Sequence, residues 1–295
     1  MLKTYGALML KKIANSYKLL LIIPTIIIIL SLCIIAFNGV NEGIELKGGS
    51  MAVLKMNETT SSSEIENHLK TALKIDEVDV ISNTGEDITV EIGSDINSSA
   101  FDSAIQGKAE VISFNAVSPL LSGEAIDQIY WAMSFAFLFM AITVFIIFRE
   151  FVPSLAIILS ASSDIIIAIG GMSLLGIPLS IASFGALLML LGYSVDTDIV
   201  LITRILKRRN EGTVVERAQG AVKTGLTLTI TAIVSMVVLF IVTVTLIPEA
   251  TTLRDISAVL IIGLSADIIT TWTMNLGIFR WYLEEREDNE KKKPI

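Results

Sequence analysis

Six apolar stretches, each long enough to cross a bilayer, constrain this chain more than any other feature. They run Leu19–Phe37, Ile129–Phe148, Val152–Leu175, Ile181–Thr203, Gly225–Ile247 and Ile256–Phe279. A helix of roughly 20 apolar residues covers the hydrocarbon core. The composition agrees, with 53% hydrophobic residues and a mean hydropathy of +0.70, well above an ordinary soluble domain. Pro24 inside the first run is tolerable, because neighbouring helices can satisfy the freed backbone group. That run is too long for the apolar core of a signal peptide and no small-x-small cleavage site follows it, so the sequence predicts an uncleaved anchor.

Basic residues in the short connections set the orientation. Lys3, Lys11, Lys12 and Lys18 flank the first span, Arg149 separates the second from the third, and Arg204, Lys207, Arg208, Arg209, Arg217 and Lys223 lie between the fourth and fifth. The links Gly176–Ser180 and Pro248–Asp255 are nearly free of them. Both termini are therefore expected in the cytoplasm of a cell-membrane protein. The expected organisation is a cytoplasmic N-terminus (1–18), a first span (19–37), an extracytoplasmic domain (38–124), a five-helix bundle (125–279) and a cytoplasmic tail (280–295). The segment 38–124 carries fifteen acidic residues against five lysines, as an outward segment should.

That segment alternates in a readable way. Met51–Met56 predicts a strand, Ser61 and Glu64 have capping-box spacing ahead of a helix to Leu73, and Val78–Ser82 and Ile88–Ile92 flank the turn Asn83-Thr84-Gly85. A shorter helix over Ser98–Gln106 precedes a last strand, Ala109–Phe114. The order is βαββαβ, a ferredoxin-like α+β domain. Net charge of -8 and a pI near 4.8 argue against a nucleic-acid partner. A single cysteine, Cys33, permits no intrachain disulfide, and no zinc spacing is present. The one histidine, His68, reads as a solvated residue.

Four aspartates fall inside spans. Asp164 sits near the middle of the third and Asp267 near the middle of the sixth, with Asp196 and Asp198 slightly past the middle of the fourth. A carboxyl group at the centre of a span costs about 2.5–3.5 kcal/mol on insertion scales. Acids in three spans at similar depth point to one shared polar site, able to load and release protons near neutral pH. Helical spacing groups Ser160, Asp164, Ala168 and Gly171 on one face, Gly185, Gly192, Asp196 and Thr203 on another, and Gly263, Asp267, Thr270 and Thr271 on a third. Thr224, Thr227, Thr231 and Ser235 form a hydroxyl stripe on the fifth span. Small residues beside the acids predict close packing there, which favours Asp196 as the fourth-span member. Asp198 lies about 200° away, on the face of Leu187, Leu191, Ser194 and Ile205, and is expected to need a different partner, one that another subunit could supply. Lys223 stands where it could join such a relay or obey the charge rule alone. No nucleophile–base pair, metal cluster or phosphate loop accompanies these residues, so neither an enzyme nor a cofactor is read.

Several local motifs resemble the SecD/SecF family of protein-export membrane proteins, half of the resistance-nodulation-division plan. GIELKGGS, with Gly43, Gly48 and Gly49, resembles the motif that follows the first span of that family. SPLLSGEAI resembles its entry to the second span, and Ser163-Asp164 its His-Asp pair. GYSVDTDIVLITRI resembles its fourth-span signature, and Lys223 falls at its fifth-span arginine. Ser163 replaces the histidine, and Thr197 occupies the position of the acid in bacterial members, with aspartates on both sides as in an archaeal branch. The length of the outer segment favours the SecF side. The resemblance implies a subunit that pairs with a SecD-like subunit and the Sec channel and promotes export of polypeptide across the lipid membrane, coupled to the proton gradient. A small-molecule exporter half and a non-transporting scaffold of the channel are the competing expectations.

Overall fold

The computed structural model describes residues 17–57, 60–204, 214–247, 250–279 and 281–282. Lys3, Lys11, Lys12, the Lys207–Arg209 cluster, Ile205 and the tail from 283 onward lie outside the described residues.

Six long apolar helices are present, as the hydropathy requires. They are α1 (Tyr17–Asn38), α5 (Pro119–Phe148), α6 (Phe151–Leu175), α7 (Ile181–Ile202), α8 (Val214–Leu246) and α9 (Thr251–Ile269), the last continuing through a π-helical segment, Thr270–Asn275. Pro24 leaves α1 unbroken. Gly176, in the left-handed conformation, closes α6, and its N–H donates to Met172 O. Ser180 opens α7 with a reciprocal capping box to Ser183.

The bundle has an inner and an outer set. Between 50% and 56% of the apolar windows of α6, α7 and α9 are buried, against 11% to 17% for α1, α5 and α8. The inner three therefore contact protein on most sides, and the outer three expose ranks of Ile, Leu, Val and Phe. One apolar cluster joins Met140, Ile157, Ala161, Leu191, Val195, Leu201 and Trp272. A second joins Ala168, Met172, Leu187, Leu190, Val259 and Leu264. Cys33 is exposed on α1.

Between α1 and α5 lies a small domain. After a one-turn helix, α2 (Ile44–Lys47), come β1 (Gly49–Met56), α3 (Ser62–Leu73), β2 (Val78–Asn83), β3 (Asp87–Ile92), α4 (Ser98–Ile105) and β4 (Ala109–Val117). The sheet is antiparallel with strand order β2-β3-β1-β4. Leu54, Ile65, Leu69, Ile88, Val90, Ile92, Phe101 and Ile105 form its core. A register shift between Val53 and Leu54 leaves Ile112 of β4 unpaired, a bulge that bends this edge strand. Gly49 enters β1 at φ 136°, and a Cβ there would stand 2.5 Å from Ile92 O, so glycine alone fits.

Two local expectations need correction. Ser61 precedes α3, but its side chain makes no capping bond; the turn closes through backbone bonds from Glu64 and Ile65 to Ser61 O. His68 is half-buried rather than simply solvated. Its Nε2 lies 2.9 Å from Ala104 O and its Nδ1 3.3 Å from Lys108 Nζ, so it ties α3 to the end of α4.

Candidate functional site

Three carboxyl groups converge in the middle of the inner helices: Asp164 of α6, Asp198 of α7 and Asp267 of α9, each with no exposed surface. Their placement follows from the buried faces of these helices. In α6, Ser160, Asp164 and Ala168 recur at helical spacing and are buried together. In α7, Leu187, Leu190, Leu191, Ser194 and Asp198 form the buried stripe. In α9, Gly263, Asp267, Thr270 and Thr271 are buried, as their spacing predicts.

Hydroxyl and amide groups organise the acids. Asp164 accepts from Ser194 Oγ at 2.6 Å and from Thr270 Oγ1 at 2.5 Å, linking α6 to α7 and α9. Asn275 Nδ2 donates to Asp198 Oδ1 at 2.6 Å. Thr271 Oγ1 stands 3.0 Å from Asp198 Oδ1 and 3.1 Å from Asp267 Oδ1. A hydroxyl carries one proton, so it can donate to one of these carboxyl groups; the second contact closes when that carboxyl brings a proton of its own. The widened π-helical turn holds Thr270, Thr271 and Asn275 together on the buried side, a device recurrent at functional sites. Within it, the Thr273 hydroxyl donates to Ile269 O.

Not every polar atom is satisfied. Asp198 Oδ2, Asp267 Oδ2, Asn275 Oδ1 and Ser160 Oγ are buried and have no hydrogen-bond partner among the described residues. No ion pair among the described residues reaches the three acids either; Lys47–Glu91 and Arg254–Asp255 are formed elsewhere. Among the same residues, no cluster of three or more His, Cys, Asp or Glu side chains is arranged to hold a metal ion. What the described residues bring together here is carboxyl, hydroxyl and amide groups.

The fourth-span expectation is corrected in its choice of aspartate. Asp196 is exposed, with Gly185, Gly192 and Tyr193 on the same side of α7, whereas Asp198 joins Asp164 and Asp267. Glycines beside Asp196 suggested a packed face, yet within this chain α7 packs through its leucines. Asp198 accordingly finds its partners in α9 of the same chain. Thr197 is buried, and its hydroxyl donates to Tyr193 O at 3.1 Å, so it bonds its own helix. Lys223 is exposed on α8. Thr227, Thr231 and Ser235 are exposed too, each hydroxyl donating to the carbonyl four residues earlier, so the stripe does not line the acid site. Arg204 Nη1 donates to Gly220 O at 3.0 Å and pins the end of α7 to α8. Gly43, Gly48 and Gly49 lie at the entrance to the inserted domain, remote in sequence from the acids.

Asn275 is the site residue that the sequence reading missed. A lone amide within the sixth apolar run, eight positions after Asp267, was the available signal. Gly225 shows how closely α8 approaches: a Cβ there would overlap the Trp272 ring and lie 3.6 Å from Thr197 Cγ2.

Comparison with known proteins bears on this arrangement. The model of the SecD/SecF protein export membrane protein C-terminal region matches residues 97–285. The protein-export membrane protein SecF of Methanothermobacter thermautotrophicus is 56% identical over 275 residues, covering 93% of this chain and 96% of that one. SecF of Methanocaldococcus jannaschii is 41% identical over 281 residues, covering 92% and 97%. Among solved structures, SecDF of Thermus thermophilus, a translocon-associated membrane protein, shares the fold with a TM-score of 0.77 at 17% identity. The match covers 91% of this chain and 38% of the SecDF chain. At the identity and coverage of its archaeal relatives, this chain belongs to the SecD/SecF family of protein-export membrane proteins, on its SecF branch.

Proposed function

We propose that this chain is an auxiliary subunit of the Sec machinery that pairs with a SecD-like subunit and uses the proton gradient to assist polypeptide export. The observation that carries the proton coupling is the Thr271 hydroxyl shared between Asp198 and Asp267, beside carboxyl oxygens that lack a donor among the described residues. Adding or removing one proton there changes which helix contacts are satisfied. In a low-dielectric interior an unsatisfied polar group is expensive. The bundle then has two packings of α6, α7 and α9, and the proton selects between them.

The exposed side of α7, with Gly185, Gly192, Tyr193 and Asp196, is the face we assign to the SecD-like partner. Two supports favour a partner over lipid. A carboxyl group facing acyl chains is costly, and transporter sites of this kind form between two pseudo-symmetric halves, of which this chain supplies one. The match to only 38% of the SecDF chain agrees with that division. Both termini are assigned to the cytoplasm by the charge asymmetry, which puts the inserted domain outside. Its strand order, β2-β3-β1-β4 with α3 and α4 after β1 and β3, supports the ferredoxin-like reading. That domain is proposed to hold emerging polypeptide.

Reconstituted export tests the reading. In vesicles holding the channel and the SecD-like partner, Asp198→Asn leaves assembly intact and removes the stimulation of export by a proton gradient. Unchanged gradient-dependent export with Asn at positions 164, 198 and 267 together would leave the chain as a scaffold.

A further inference from the structure

The link between α1 and the inserted domain is stapled to the turn that joins α6 to α7. Ser173 Oγ donates to Gly39 O at 2.5 Å and Leu179 N to Asn41 O at 2.7 Å. Gly43 N donates to Leu179 O at 2.8 Å, and Ile181 N to Glu45 Oε2 at 2.8 Å. The last bond differs in kind. Ile181 is the first residue of α7, and its N–H is one of the donors that a helix cannot satisfy internally. Glu45 brings a negative charge to the positive end of the helix dipole. The approach leaves little slack, since a Cβ added at Gly43 would already touch Leu179 O and Ser180 Cβ, both at 3.4 Å.

The far end of the link is equally fixed. Lys47 Nζ pairs with Glu91 Oε1 of β3 at 2.5 Å, Gly48 N donates to Ile44 O at 2.9 Å, and β1 starts at Gly49. From Ile181 to the sheet, every step runs through a hydrogen bond, an ion pair or a helical turn. Asp198 lies on α7 itself, about 25 Å along the axis from Ile181. A packed helix moves as a rigid rod, so a shift of α7 at its acid end is delivered to Glu45.

We propose that Glu45 is a positioning residue, the coupling strut that passes displacement of α7 to the inserted domain. The proposal deepens the proton-coupled reading and rests on it. Glu45 touches neither the acids nor any substrate. Its effect is mechanical and needs the carboxyl oxygen as acceptor, so Gln, which keeps an acceptor, preserves it.

Amide hydrogen exchange on the full chain, assembled with its SecD-like partner in nanodiscs, tests this. Glu45→Ala is expected to speed exchange at Ile181 about tenfold, the scale of one hydrogen bond, while Glu45→Gln, which keeps the acceptor, stays near wild type. Asp198→Asn is expected to change exchange in both α7 and β1 of the wild-type background. In Glu45→Ala the α7 response persists, the β1 response disappears, and gradient-driven export falls with the complex intact. An unchanged Ile181 in Glu45→Ala overturns the strut. So does a β1 response of equal size with and without Glu45, or one absent from both while Asp198→Asn still abolishes export. Export that survives Asp198→Asn overturns the proton reading instead, and the strut with it.

Discussion

Asp198 of α7 and Asp267 of α9 meet through one hydroxyl, Thr271 Oγ1, at 3.0 and 3.1 Å. Thr271→Val keeps the volume and removes the bridge. Hydrogen bonds between helices in membranes are worth roughly 0.6–1.7 kcal/mol, and Val should lower stability by about that much. Thr271→Ser restores it. Equilibrium unfolding of the purified chain in mixed micelles measures both, and equal stability of Val and Thr would contradict the bridge.

The two fourth-span aspartates should behave differently. Asp198→Ala strands Asn275 Nδ2 in a buried setting, leaves Thr271 Oγ1 to Asp267 alone, and is expected to cost about 1–3 kcal/mol. Asp196→Ala, on the exposed side, should stay within about 0.5 kcal/mol in the isolated chain. Its effect belongs to co-purification with the SecD-like partner, which should weaken. The reverse ranking in the same unfolding assay would place the wrong acid in the site.

Close packing of α8 supplies another test. Gly225→Val drives a side chain into the Trp272 ring. In a chain with Trp131 and Trp281 replaced by Phe, Trp272 emission should shift to the red as the indole is displaced. Gly185→Val, in open space on α7, should leave it unchanged.

The inserted domain has its own core, so its damage should stay local. Leu54 is fully buried in β1, and Leu54→Ala is expected to cost about 2–5 kcal/mol. Amide exchange over residues 49–117 of the full chain should accelerate while α6, α7 and α9 keep their protection.

Much of this was legible beforehand, for identifiable reasons. Hydropathy found the helices, because α1 and α5–α9 must satisfy their backbones in lipid, and short strand-favouring runs set off by turn residues found β1 to β4. Equal depth brought Asp164 and Asp267 together. The rotation of α7 was not legible, because within a bilayer both lipid and protein accept apolar surface. Leu187 and Leu191 looked as suited to lipid as Gly185 and Gly192 looked suited to packing, and the structure reverses both. Nor does any pattern announce the π-helical turn over Thr270–Asn275, which brings Thr271 and Asn275 to Asp198.

The central claim is that the Asp164–Asp198–Asp267 cluster holds an exchangeable proton. Infrared difference spectroscopy of the assembled complex in hydrated membranes, recorded between high and low pH, reads this directly. A carboxylic-acid band should appear and vanish with pH, should be lost when Asn replaces Asp164, Asp198 and Asp267 together, and should survive in Asp196→Asn. A band that persists in the triple variant, or one that Asp196→Asn alone removes, would contradict the account.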